Sequence, residues 1–119
     1  MLRGALILAM TFGLSASAWA QDYDDPLYPD LARDQRVYGR VILDCVVIET
    51  GRLDCEVAEE SPSYWEFGDA ALAFSEQWRV EPTTHTGQST VGGRVRRMLV
   101  FEPGPPARIR QMTPPRHRR

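Results

Sequence analysis

The feature that most constrains this chain is a short hairpin pattern near its centre. The apolar, β-branched run 41–48 predicts a strand, and the alternating run 53–57 predicts the returning strand. Residues 49–51 form a three-residue turn between them, with Gly51 at the position that needs a left-handed backbone. The pattern therefore predicts an antiparallel hairpin with one buried face.

The turn length also fixes which residues of the hairpin face each other. It pairs Ile48 with Arg52, and counting outward from that pair places Cys45 opposite Cys55 at a non-hydrogen-bonded site. Cα atoms lie about 4.5 Å apart at such a site, which a disulfide tolerates. We predict a Cys45–Cys55 disulfide, and two buried thiols are the alternative. The same register pairs Val47 with Leu53 and Leu43 with Val57.

The N-terminus has the pattern of an export signal. A basic start precedes an apolar run over residues 4–16, and Ala18-Trp19-Ala20 matches a signal peptidase site. We expect cleavage between Ala20 and Gln21, which removes a signal peptide of residues 1–20. The alternative is an uncleaved membrane anchor, but a spanning helix needs about 20 apolar residues. An exported chain also favours pairing of its cysteines.

Two helices and one further strand complete the prediction. Residues 28–36 predict one or two helical turns that Pro29 opens. The run 67–78 has apolar residues at helical spacing and predicts the main helix. The alternating run 94–101 predicts the last strand. The fold class is α+β: a small three-stranded antiparallel sheet with a β-hairpin, the main helix packed on one face, and a short N-terminal helix.

The C-terminal segment differs in composition from the rest. All 16 acidic residues precede residue 103, whereas residues 106–119 carry arginine and no acid. The prolines and the lack of an apolar period predict a disordered tail over 104–119 and a folded domain over 21–103. Such a tail either contacts phosphates or anionic lipids or remains a solvated segment.

The sequence offers no catalytic or metal-binding constellation. His85 lies in a Thr/Gly loop and His117 lies in the tail, and neither has acids or cysteines at metal-ligand spacing. The adjacent Glu59 and Glu60 point to opposite faces of a strand, so a solvated pair is the simpler interpretation. We therefore expect neither an enzyme nor a cofactor, a metal or a nucleic-acid partner.

Several residues in order resemble the TonB C-terminal domain across residues 26–102. The elements that carry the resemblance are Tyr28-Pro29-x-x-Ala32-Arg33, Gly39-x-Val41-x-Leu43, Gly51-x-Leu53, Glu60-Ser61, Gly68-Asp69-Ala70-Ala71-Leu72, Trp78-Arg79-Val80-x-Pro82, Gly87 and the closing strand. Each element alone is weak, but their order and spacing are specific. The resemblance implies a protein-interaction module that joins an inner-membrane motor to outer-membrane transporters.

Binding in that family pairs a sheet edge with an extended transporter segment. By resemblance, the partner-binding strand consists of Arg94, Val95, Arg96, Arg97, Met98, Leu99, Val100 and Phe101. Arg94 and Arg96 either meet acidic partners or guard the edge against aggregation. The expected partner is a protein of the cell envelope, such as a TonB-dependent outer-membrane transporter.

Three interpretations of the whole chain follow. The first is a periplasmic module that binds by strand addition, and the second is an energy transducer anchored by residues 4–20. The third is a structural envelope protein that forms a homodimer through the same edge. Only Gln21 to Pro26 separate the expected cleavage site from the domain, and a chain extends at most ~3.5 Å per residue. A cleaved form could not bridge two membranes, and the chain would contact a membrane only if cleavage did not occur and its N-terminal segment were retained.

Overall fold

The computed structural model describes residues 23–114 and has the expected α+β architecture. Its sheet is antiparallel with strand order β2-β1-β3-β4, so it contains four strands where the sequence predicts three. The elements are α1 (Asp30–Asp34), β1 (Gly39–Val47), β2 (Leu53–Ser61), α2 (Phe67–Ser75), β3 (Arg94–Glu102) and β4 (Arg108–Met112).

The central hairpin has the register that its turn predicts. The N–H of Ile48 donates to the carbonyl of Arg52 at 2.8 Å, and Cys45 faces Cys55. The two cysteines form the expected disulfide with their Cα atoms 3.9 Å apart. Gly51 has a φ of +81°, and a Cβ there would collide with the carbonyl of Val80. The chain that follows α2 therefore packs directly against the turn.

A β-bulge interrupts this register further along the hairpin. Leu43 pairs with Val57, but Ile42 pairs with Glu59, so β2 carries one extra residue. Without the bulge, Glu59 would lie opposite Val41 on the core side. The bulge instead turns Glu59 to the open face of the sheet, which neither helix of residues 23–114 covers.

The core lies between one face of the sheet and the two helices. Tyr28, Phe67 and Phe101 meet there with ring centroids 4.8 to 6.0 Å apart, and all three are almost fully buried. Gly39 lies directly under the Phe67 ring, where a Cβ would collide. The approach of α2 to β1 therefore depends on the missing side chain at residue 39.

The main helix is shorter than its apolar pattern predicts. It ends at Ser75, and the N–H of Trp78 then donates to the Ser75 carbonyl in a tighter turn at 3.0 Å. Trp78 still packs against the core, so the apolar spacing reports burial beyond the end of the helix. The apolar spacing alone does not distinguish a continued helix from a tight turn after its end, because a tight turn also returns a side chain to the same face.

The fourth strand corrects the prediction of a wholly disordered tail. Residues 108–112, which the composition assigned to that tail, pair with β3 from Met98 to Glu102. Ala107, just before the strand, is buried and held by the N-terminal segment. Its carbonyl accepts the N–H of Asp25, and its N–H donates to Oδ1 of Asp24, both at 2.8 Å. These contacts join residues that are far apart in the sequence, so local composition does not predict them.

The ends of the chain lie outside the described residues. The predicted signal peptide over residues 1–20, the cleavage site at Ala20 and Gln21, and the last residues of the tail are among them. Between residues 23 and 114, no helix has the length and apolarity to cross a membrane.

Candidate partner-binding edge

The backbone groups of β3 divide into two sets that face opposite neighbours. The N–H of Val47 donates to the carbonyl of Gly93 at 2.9 Å, so odd-numbered residues of β3 continue this ladder toward β1. Even-numbered residues therefore direct their N–H and C=O groups to the other side. At Met98, Val100 and Glu102 that side is occupied by β4.

At the start of β3 the outer side is open. β4 ends at Met112, opposite Met98, and no described strand lies beside Arg94 to Arg97 on this side. The outward backbone groups of Arg94 and Arg96 therefore have no sheet partner within residues 23–114. Exposed, unpaired strand groups of this kind form a template for another strand.

A proline explains why β4 stops where it does. In the β3–β4 register, paired residue numbers sum to a constant, which places Pro114 opposite Arg96. That position needs an N–H directed at β3, and proline has none. The chain therefore cannot extend its own strand along the open half of β3.

The two arginines predicted to meet partners have different surroundings. Arg96 lies opposite Asp44 and forms ion pairs with Asp44 at 3.4 Å and Glu59 at 3.5 Å. Its guanidinium thus reaches across β1 to β2, where the bulge has placed Glu59. Arg94 is exposed and forms no ion pair with any described residue. Arg94 is therefore the more available of the two for an acidic partner.

Arg97 lies on the core side of the sheet, opposite Leu43, at a position where the alternation expects an apolar residue. It is half-buried at the end of the open half. Together with Gln111, Met112 and Thr113 it lines a small cleft of about 270 Å³ where β4 ends. This cleft therefore lies at the boundary between the part of β3 that pairs with β4 and the part that does not.

The aromatic core supports this edge from below. Phe101 of β3 packs on Tyr28, whose hydroxyl donates to the carbonyl of Val37 at 2.6 Å. Burial, and to a lesser extent the charges of Tyr38 and Glu102, raise the pKa of Tyr28 to about 12. The phenol therefore stays protonated and keeps its hydrogen bond at neutral pH.

Among residues 23–114, we also considered metal-binding clusters and surface clefts as alternative sites. No group of three or more acidic, histidine or cysteine side chains within residues 23–114 could hold a metal ion. A cleft of about 620 Å³ is open and lies between residues 23–26 and 106–110. The two acidic residues that line it, Asp24 and Asp25, lie on the segment that holds Ala107. The β3 edge is therefore the candidate site.

Comparison with known families agrees with this architecture. Residues 24–103 match the family model described as the Gram-negative bacterial TonB protein C-terminal. The chain belongs to this family. A search among curated proteins finds no match. TonB C-terminal membership assigns the chain a TonB-type role in protein interaction in the envelope, and β4 lies beyond the matched residues.

The TonB C-terminal match does not by itself indicate which groups of β3 are available. By resemblance the whole of residues 94–101 forms the partner-binding strand, but β4 pairs with residues 98–102. The turn of the hairpin fixes which residues of β1 direct their backbone groups away from β2. The alternation of residues along the paired strands could then have shown which residues of β3 face outward. In the sequence, β4 is indicated only by a weak alternation of apolar and polar residues around Ile109. The prolines on either side favour a disordered segment instead.

Proposed function

We propose that this chain is a periplasmic interaction module that binds an envelope protein by adding a partner strand to β3. A TonB-dependent outer-membrane transporter is the expected class of partner. The backbone of both strands supplies most of the affinity, so the site needs no special side-chain chemistry. Arg94 adds a preference for an acidic side chain beside it.

One observation carries this proposal. The N–H and C=O groups of Arg94 and Arg96 face outward at a position that β4 does not reach. The strand is held rigidly behind them, because Leu99 and Phe101 are fully buried and β1 pairs with it from Arg94 to Phe101. A preformed edge loses little conformational entropy when a partner strand pairs with it.

Export is the second part of the proposal. The segment 1–20 directs the chain to the periplasm and is removed after Ala20. N-terminal sequencing of the periplasmic protein tests this directly, and we expect it to start at Gln21. A chain that retains Met1 in the inner membrane would contradict it and favour the anchored transducer.

Capture from envelope extracts tests strand addition. The full exported chain is immobilised as wild type, Arg96→Pro or Arg96→Ala. Proline removes the outward N–H while leaving the ladder to β1, and alanine removes the side chain only. We expect the wild type and Arg96→Ala to retain the same partner and Arg96→Pro to lose it. Equal capture by all three would contradict strand addition at this edge.

A further inference from the structure

We infer that an apolar cleft on the open face of the sheet is a second docking site for the envelope partner. This turn cleft lies between Val46, Ile48 and Val91. It holds one large apolar side chain of a partner segment that also places a carboxylate beside Arg94. The inference rests on the proposed function, because it concerns the same partner. It concerns the face of the sheet, however, and not the edge along which backbone groups pair.

The turn cleft has a volume of about 460 Å³ and lies beside the turn of the hairpin. Its lining consists of Val46, Val47, Ile48, Glu49, Val91 and Gly92. Val46 and Ile48 point to the open face, because side chains alternate along an extended chain and Val47 between them is buried on the core side. Ile48 is 39% exposed and Val91 is 47% exposed. Isolated apolar residues are common on protein surfaces, but these two border the same concavity.

The turn that carries Val91 is fixed against β1. The N–H of Gly93 donates to the carbonyl of Thr90 at 3.0 Å, which closes the turn. Gly92 has a φ of +88°, the left-handed conformation that glycine favours. Val47 binds the turn on both sides, since its N–H donates to Gly93 at 2.9 Å and its carbonyl accepts the N–H of Gly92 at 2.8 Å. Turn corners mostly carry polar residues, glycine or proline, so turn chemistry does not explain an exposed valine at this position.

Arg94 supplies a positive charge beside the turn cleft. It lies directly opposite Val46 at a non-hydrogen-bonded site, where Cα atoms are about 4.5 Å apart. Its side chain therefore stands next to Val46 on the open face, and it forms no ion pair with any residue between 23 and 114. On the β2 side, Arg52 lies opposite Ile48 and Asp54 lies opposite Val46, so their charges offset each other. The side of the cleft next to β3 is thus the positive one.

These features define the chemistry of the occupant. It is an extended protein segment with a large apolar residue and, one or two positions away, an aspartate or glutamate. Each residue of an extended chain spans about 3.3 Å, so the two side chains can reach the turn cleft and Arg94 together. Glu49 lines the cleft and opposes a carboxylate within it. The apolar side chain therefore enters the cleft, while the carboxylate remains outside on the β3 side.

The position of the turn cleft also connects it with the proposed partner. Val91 precedes Arg94 by three residues, and the outward backbone groups of Arg94 belong to the open half of β3. One partner segment can therefore contact both the backbone of the strand and the cleft. Backbone pairing supplies affinity with little regard to sequence, whereas a pocket for a side chain selects among partners. The turn cleft provides that selectivity.

Three short capped peptides provide the probe. The first is Gly-Glu-Phe-Glu-Gly, the second has serine in place of phenylalanine, and the third has glutamine in place of both glutamates. Each is added, up to millimolar concentration, to the full exported chain with labelled methyl groups. We expect the first peptide to shift the methyl signals of Val46, Ile48 and Val91. The serine peptide should bind at least about tenfold more weakly, because it buries no large apolar side chain.

The glutamine peptide tests the role of Arg94. It should bind about twofold more weakly than the first peptide, because an ion pair with an exposed guanidinium contributes little. In Arg94→Gln the two peptides should bind equally, since the charge that distinguishes them is gone. An unchanged difference between the two peptides in this variant would contradict the assignment of the carboxylate to Arg94.

Two substitutions of exposed apolar residues separate the turn cleft from general surface hydrophobicity. Val91→Ser removes one wall of the cleft, whereas the control Leu31→Ser changes a residue of α1 that is 56% exposed. We expect Val91→Ser to lower the affinity for the first peptide about fivefold and Leu31→Ser to leave it unchanged. The envelope partner whose capture requires the outward N–H of Arg96 should also be captured less by Val91→Ser. Urea unfolding checks that both variants remain folded.

Equal affinity of the phenylalanine and serine peptides, or methyl shifts confined to other parts of the chain, would overturn the docking site. Absence of binding by every peptide would overturn it as well. Self-association that is lost in Val91→Ser would assign the cleft to a second copy of the chain and contradict the proposal. Arg96→Pro should bind the first peptide normally, because the cleft needs no backbone group of the edge. Capture that is lost in Arg96→Pro but complete in Val91→Ser would support strand addition and contradict the turn cleft.

Discussion

At the scale of single residues, the missing side chain at residue 39 sets the distance between the sheet and the main helix. Gly39 lies under the ring of Phe67, and Phe67 in turn contacts Phe101 of β3. The glycine is needed for close approach, since its φ is not in the left-handed region. Its role could not be read from the sequence, because the approach depends on an element nearly thirty residues away.

Gly39→Ala should destabilise the domain by about 1–3 kcal/mol, because the added methyl overpacks the core against Phe67. Urea unfolding measures the change. In a Phe67→Leu background, which opens space over the same position, the cost of Gly39→Ala should shrink markedly. An equal cost in both backgrounds would show that the ring contact is not its cause.

The buried phenol of Tyr28 gives a pH-dependent prediction. Tyr28→Phe should lower the free energy of unfolding by about 1–2 kcal/mol at neutral pH, since the Val37 carbonyl loses its donor. The folded pKa is about 12 against 10.0 in the unfolded chain, so the unfolded chain loses this proton first. The stability that Tyr28 contributes is complete below pH 10 and falls as the pH rises toward 12. The difference between wild type and Tyr28→Phe should therefore narrow over that range, and a constant difference would contradict this cause.

At the scale of elements, the sequence predicts structure well where neighbouring residues decide it. The turn at residues 49–51 fixes the register of Cys45 and Cys55, and the structure confirms it. The bulge at Ile42 and Leu43 breaks that register without any glycine or proline to signal it. β4 depends on the β3 edge and on the contacts of Ala107, which are remote in the sequence.

Removing the disulfide should weaken the hairpin without changing its register. The double substitution Cys45→Ala and Cys55→Ala should cost about 3 kcal/mol, mainly because the unfolded chain gains freedom. The turn and the pairing of Val47 with Leu53 remain, so cross-strand contacts in NMR spectra should persist. Reduced wild type should unfold at the same urea concentration as the double variant. A shifted register or an unchanged stability would show that the disulfide has another role.

At the scale of the whole molecule, charge is graded across the open face of the sheet. Acids lie on β2, whereas β3 and β4 carry arginines, and Arg96 links the two sides. Symmetric pairing of two β4 edges would bring Arg108 and Arg110 near the same residues of a second copy, which opposes a dimer. The family resemblance predicts a partner-binding strand at residues 94–101, and this assignment stays a prediction. The sequence could not predict that β4 covers half of the outer edge of β3, because this requires the order of the strands.

Hydrogen exchange of the β3 amides tests the central claim most directly. In the free chain, the outward amides of Arg94 and Arg96 should exchange quickly, while those of Val95 and Arg97, directed at β1, should be protected. On binding of the captured envelope partner, the amides of Arg94 and Arg96 should become protected by at least about tenfold. Partner binding that leaves these two amides in fast exchange would contradict strand addition at β3.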